Sequence, residues 1–188
     1  MLEDCLEERF DFTGCKIALL CDGQVLTILR DDKTTIPYPN MWELPGGGRE
    51  GDESPFECVA REVYEELKIQ LSKDDIVWSW IYPSMLDENK NSVFLVGKLT
   101  QEQFDNITFG DEGQGYKLVS LEDFLTSDRV VPQLQERVRD YVEGKFMIRL
   151  ERAGAEDLET IIAIQRASFK AVYEKYQDEY DPYLEDRE

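Results

Sequence analysis

Residues 47–69 read GGREGDESPFECVAREVYEELKI. Phe56, Val59, Ala60, Val63 and Leu67 recur at helical spacing, which predicts an amphipathic helix over 54–67 with those five residues on its buried stripe. Asp52 or Ser54 can cap it, and Pro55 suits its first turn. Glu57, Glu62, Glu65 and Glu66 lie off the stripe, and Glu62, Glu65 and Glu66 share one face. Like charges at these spacings repel by about 0.2–0.5 kcal/mol per pair. Either the face is solvated, as charge runs commonly are, or a divalent cation supplies the missing positive charge.

Working outward, Cys15–Cys21 is a short apolar run, Asp22-Gly23 a turn signal and 24–30 a partly alternating strand, together a β-hairpin. Residues 31–40 (DDKTTIPYPN) form a polar loop, and 41–44 a short strand leading into Pro45 and the glycines Gly46, Gly47 and Gly48. Further strands are expected at 76–82, 92–99 and 115–119, with helices at 121–125 and 132–142. Strands with helices before and after them predict an α+β fold, helices layered on a mixed sheet.

The chain contains no histidine, so Ser-His and Cys-His nucleophilic schemes and histidine-ligated metals are excluded. Acid–base work falls to carboxylates, Lys, Tyr or metal-bound water. The four cysteines (Cys5, Cys15, Cys21, Cys58) show no CxxC pair and read as reduced residues of a cytoplasmic protein. No apolar run approaches the ~20 residues that cross a bilayer, and the acidic N-terminus lacks the order of a signal peptide. A net charge of −20 argues against long nucleic acid or an anionic membrane as partner. A small phosphorylated substrate bringing its own cation is compatible with it.

Gly47, Glu53, Arg61-Glu62-Val63, Glu65-Glu66 and Ile69 stand at the spacing Gly-x5-Glu-x7-Arg-Glu-U-x-Glu-Glu-x-Gly-U, where U is aliphatic. The stretch thereby resembles the Nudix box, departing only at Lys68, where the family has its second glycine. The resemblance implies a Nudix α/β/α sandwich with a mixed central sheet. It also implies Mg²⁺-dependent hydrolysis, with Mn²⁺ as substitute, of a nucleoside diphosphate linked to another group. By the same resemblance Glu62, Glu65 and Glu66 are metal ligands together with the Gly46 carbonyl, and Arg61 pairs with Glu53 to hold the loop on the helix. A surface pair of Arg61 with Glu65 is the alternative for that arginine.

The general base is then a carboxylate, either Glu62 or one from outside the box. Residues 109–121, FGDEGQGYKLVSL, resemble the MutT-type segment whose loop glutamate enters the site, here Glu112, a further catalytic and metal-ligand candidate; an ordinary acidic loop is the alternative. Residues 39–46, PNMWELPG, are also similar to MutT-like members, and Trp42, Gly47 and Gly48 are the candidate substrate contacts. Trp78, Trp80, Tyr82 and Phe94 could stack on a base but suit a core better. A left-handed Lys68 would cost about 1 kcal/mol, unless the helix ends another way.

MutT-type clean-up of nucleoside triphosphates such as oxidised dGTP leads. ADP-ribose and nucleotide sugars share the same diphosphate. A non-catalytic nucleotide-binding module is the reading from another class, opposed by the intact glutamates.

A seam is expected at Gly144-Lys145, dividing a Nudix domain (1–144) from a tail (145–188). Residues 146–187 resemble the first strand and helix of GNAT-type N-acetyltransferases, but the pyrophosphate loop Arg/Gln-x-x-Gly-x-Gly/Ala is absent. The tail is thus read as an incomplete domain, the start of a fusion or a strand–helix appendage. Its apolar stripe (Leu158, Ile161, Ile162, Phe169, Val172) needs burial against the Nudix body or a second subunit, as in a homodimer.

Overall fold

The computed structural model describes residues 6, 7 and 9–145. Two units are distinguished, Met1–Met147 and Ile148–Glu188, and the expected strand and helix of the tail lie outside the described residues.

The expected hairpin forms as β1 (Cys15–Cys21) and β2 (Gln24–Leu29). Asp22 (φ 47°) and Gly23 (φ 78°) are both left-handed, which gives the turn a twist matching that of the strands. β3 is Trp42–Glu43, β4 Ile76–Pro83, β5 Asn91–Lys98 and β6 Gly115–Ser120. The helices are α1 (Pro55–Leu67), α2 (Gln101–Asp105), α3 (Leu121–Thr126) and α4 (Pro132–Val142). The short α2 was not anticipated.

The six strands form one mixed sheet. β5, buried along its interior, runs parallel to β1 and antiparallel to β4. β2 pairs along its whole length with β6. On its other edge β2 pairs with β1 only at Val25 and Gln24, and then with β3 at Ile28 and Leu29. β1 and β2 therefore fork. The chain after β3 fills the gap, where Ile17 N–H donates to Pro45 O (2.9 Å) and Cys15 N–H to Gly47 O (3.0 Å). This fork carries the glycine run into the sheet.

Alternation along the strands splits the core between two faces. Ile17, Leu19, Leu26, Ile28, Val93 and Leu95 pack with Cys58, Val59, Val63 and Leu67 of α1. Ala18, Val25, Phe94 and Val96 pack with Phe124 of α3 and Leu134 and Val138 of α4. The result is an α+β sandwich, helices on both sides of a mixed sheet. The stripe of α1 is turned slightly from expectation: Pro55 and Cys58 are buried, while Phe56 and Ala60 are half-buried. Trp78 and Phe94 are core residues, 7% and 0% exposed. Cys15, Cys21 and Cys58 are buried. No helix of the described residues is long and apolar enough to cross a membrane.

Candidate active site

Ser54, not Asp52, caps α1. Its hydroxyl accepts from Glu57 N–H (3.3 Å), and its own N–H donates to the Glu57 carboxylate (2.8 Å). The other end closes on Lys68, whose φ of 57° is left-handed and whose N–H reaches Tyr64 O (3.0 Å). Lysine thus takes a left-handed conformation that glycine adopts at lower cost. Its ammonium lies 5.0 Å from the centre of the Tyr64 ring, a partial offset to the strain.

The glycine run is pressed between β1 and α1. Gly46 has φ +119°, and a Cβ there would stand 2.3 Å from Cys15 O. A Cβ on Gly47 would stand 2.4 Å from Glu62 Oε2. Only glycine lets the strand edge and the helix carboxylate come this close.

Arg61 ties the box together. It forms a forked pair with Glu53 (Nε to Oε1 2.7 Å, Nη2 to Oε2 3.0 Å) and also donates to Gly48 O (2.8 Å). Its Nη1 reaches Glu62 Oε1 at 2.9 Å and Glu65 Oε2 at 3.3 Å. Both alternatives for Arg61 therefore occur together, with the Glu53 fork the closer. The arginine holds the Glu53 carboxyl below its ordinary range, and the carboxylates raise the arginine.

Glu62 and Glu66 face the glycines, whereas the Glu65 side chain is 59% exposed. Burial raises the Glu62 carboxyl, with the Arg61 hydrogen bond opposing. Burial pushes Glu66 up to about 7, against Lys16 and the Gly46 N–H that donates to its Oε2 at 2.9 Å. Two neighbouring carboxyls are thus desolvated without enough positive charge to compensate. Nearby, Glu43 of β3 is buried between Lys16 (2.8 Å) and Arg30 (2.6 Å). Sequence reading gave these three no role. The available signal was a charged residue between Trp42 and Leu44, at the inward position of a short strand.

A cleft of about 410 Å³ joins Gly46, Gly47, Gly48, Glu62 and Glu66 to Lys16, Arg30 and Glu112. Glu112 is exposed, makes no hydrogen bond or ion pair among the described residues, and shares a smaller depression with Glu66. Its loop is anchored by Gln114, whose N–H donates to Leu29 O (2.8 Å) and whose amide donates to Arg30 O (2.6 Å). Trp42 lies elsewhere, in a second depression with Arg129, under the Lys117 ammonium at 4.1 Å. Among the described residues no three Asp, Glu or Cys side chains converge as a ready metal-ligand set. Arg61 draws Glu62 and Glu65 toward itself, and Gly46 N–H holds Glu66.

Comparison with known proteins adds the lineage. Residues 16–141 match the family described as NUDIX domain. A Danio rerio m7GpppN-mRNA hydrolase, NUDT17, is 34% identical over 79 residues, 39% of this chain and 26% of that protein. A MutT-like protein of Streptomyces ambofaciens is 47% identical over 55 residues, 29% of this chain and 32% of that one. The chain therefore spans about a quarter to a third of these curated relatives. The crystal structure of a MutT protein from Methanosarcina mazei Go1 superposes with a TM-score of 0.56 at 22% identity, covering 74% of this chain and 99% of that one, a likeness of fold. The forked sheet, the glycines under Glu62 and the match over 16–141 agree: the chain belongs to the NUDIX family.

Proposed function

We propose that this chain is a Nudix hydrolase that cleaves the phosphoanhydride bond of a nucleoside diphosphate derivative, with nucleoside triphosphates of the MutT type as leading substrates. The observation that carries the reading is the pairing of Glu62 and Glu66, two desolvated carboxyls, beside three glycines in one cleft. Relatives named as an m7GpppN-mRNA hydrolase and as a MutT-like protein support it.

The chemistry of these oxygens suits Mg²⁺, or Mn²⁺ in its place, although among the described residues the carboxylates do not stand converged as a ready set. Glu62, Glu66, Glu112 and the Gly46 carbonyl offer hard oxygen ligands, and a cation would compensate the two raised carboxyls. Glu65 would join from the same helix face. When bound, the ion neutralises the pyrophosphate and polarises the phosphorus centre. Lys16 and Arg30 line the same cleft and would steer the anionic chain, while Arg61 and Glu53 keep loop and helix in register. Glu112, unpaired among the described residues and on the cleft, would take the proton of the attacking water at a carboxylate oxygen.

Glu66→Gln is expected to lower kcat for (d)NTP hydrolysis by about 10²–10³-fold with Mg²⁺, on the scale of lost electrostatic transition-state stabilisation. Phosphate and pyrophosphate release over oxidised dGTP, ordinary NTPs, ADP-ribose and a nucleotide sugar checks it. Unchanged turnover in that variant sinks the reading.

A further inference from the structure

Glu43 is 8% exposed, and the residues on either side of it, Trp42 and Leu44, pack with the layer of α3 and α4. It stands opposite Ile28 of β2, whose side chain belongs to the layer of α1, the helix that carries Glu62 and Glu66. A carboxylate taken out of water needs a cation, and one is enough for its charge. Glu43 has two: Oε2 accepts from Lys16 Nζ (2.8 Å) and Oε1 from Arg30 Nη1 (2.6 Å). Arg30 is fixed further by its Nε, which donates to Pro37 O (2.9 Å). The Lys16 ammonium has no other ion pair among the described residues.

These side chains line one cleft with Glu62 and Glu66. The charge of Lys16 favours the ionised forms of Glu66 and Glu62, so the ammonium is within electrostatic reach of both. Three carboxylates thus compete for one ammonium on a flexible stem, and Glu43 holds it. With Lys16 on Glu66 or Glu62 instead, the negative charge that a divalent cation needs would already be neutralised, and the ion would have to displace the lysine.

We propose that Glu43 is a positioning residue: by holding Lys16 beside Arg30 on its own carboxylate, it keeps Glu62 and Glu66 open to a divalent cation. The role rests on the metal-dependent hydrolysis proposed above and is exerted through Lys16.

Mn²⁺ titration of the full chain without nucleotide, followed by the electron paramagnetic resonance of the free ion, reads this without turnover. Glu43→Gln keeps the size of the side chain and one acceptor oxygen. It is expected to weaken Mn²⁺ binding about tenfold, because the released ammonium moves to Glu62 and Glu66. Lys16→Met is expected to tighten binding about threefold, and in that background Glu43→Gln to change it by less than about twofold. A general loss of structure gives neither the gain nor the rescue. Unchanged Mn²⁺ affinity in a folded Glu43→Gln protein overturns the proposal, as does a loss that persists in full without Lys16, or a wild type that binds no Mn²⁺. If Glu43→Gln does not fold, Lys16→Met decides: an affinity equal to or below that of the wild type overturns the role. Phosphate release from nucleoside triphosphates, measured in parallel, separates the two readings. The expected affinities without wild-type turnover sink hydrolysis alone, and turnover with unaltered affinities sinks the role of Glu43 alone.

Discussion

Burial holds the Glu66 carboxyl at about 7, while the Gly46 N–H and Lys16 favour its charged form. The folded protein therefore keeps a proton that the unfolded chain releases near the ordinary 4.5. Between these values the native state binds more protons, so stability falls as pH rises through that window, by up to roughly 3 kcal/mol. Below pH 4.5 the contribution is fully present, and above about 7 it is gone. In EDTA, Glu66→Gln should match the wild type in urea unfolding at low pH and exceed its stability at pH 8. Mg²⁺ should reverse that order at pH 8, because only the wild type can exchange the proton for the cation. Equal pH dependence of the two proteins in EDTA would remove the argument. Glu66 could be chosen from the sequence because helical register sets it on one face with Glu62 and Glu65 and the resemblance to the Nudix box singles out that face. Glu43 could not, since its partners Lys16 and Arg30 come from β1 and from the residue after β2, and only the fork of the sheet brings them together.

The same division between local and distant causes runs through the elements. The hairpin turn at Asp22-Gly23, the cap at Ser54 and the helices starting at Pro55 and Pro132 rest on signals within a few residues, and all were legible. The helix α2 had such a signal too, Thr100 followed by Gln103 in a reciprocal cap, but five residues carry too little periodicity to attract notice. The pairing of β3 with β2 beside the fork has no local signature: a two-residue strand is defined by its neighbours alone. The end of α1 gives a direct test. Lys68 stores about 1 kcal/mol in its left-handed conformation and recovers about 0.5 kcal/mol from the Tyr64 ring. Lys68→Gly is thus expected to raise unfolding stability by about 0.5 kcal/mol in urea. A loss of that size would show that the lysine's contact outweighs its strain.

At the scale of the whole molecule, each layer of the sandwich has a core among the described residues. The core of one face runs from Leu6 to Leu99, with half-buried residues as far as Leu118 beside it, and that of the other from Ala18 to Val138. The family match likewise ends at residue 141. Among the described residues the walls of the cleft come from residues 13–137. We therefore expect residues 145–188 to form a separate part, as the seam at Gly144-Lys145 suggests. A chain ending at Lys145 should then keep its urea unfolding free energy within about 0.5 kcal/mol, the range of surface changes. Its hydrolysis should be unchanged. If the tail instead supplied apolar cover to the sandwich, removing several large side chains from that contact would cost well over 2 kcal/mol. The shortened chain would then lose cooperativity in urea, and the division at the seam would be wrong.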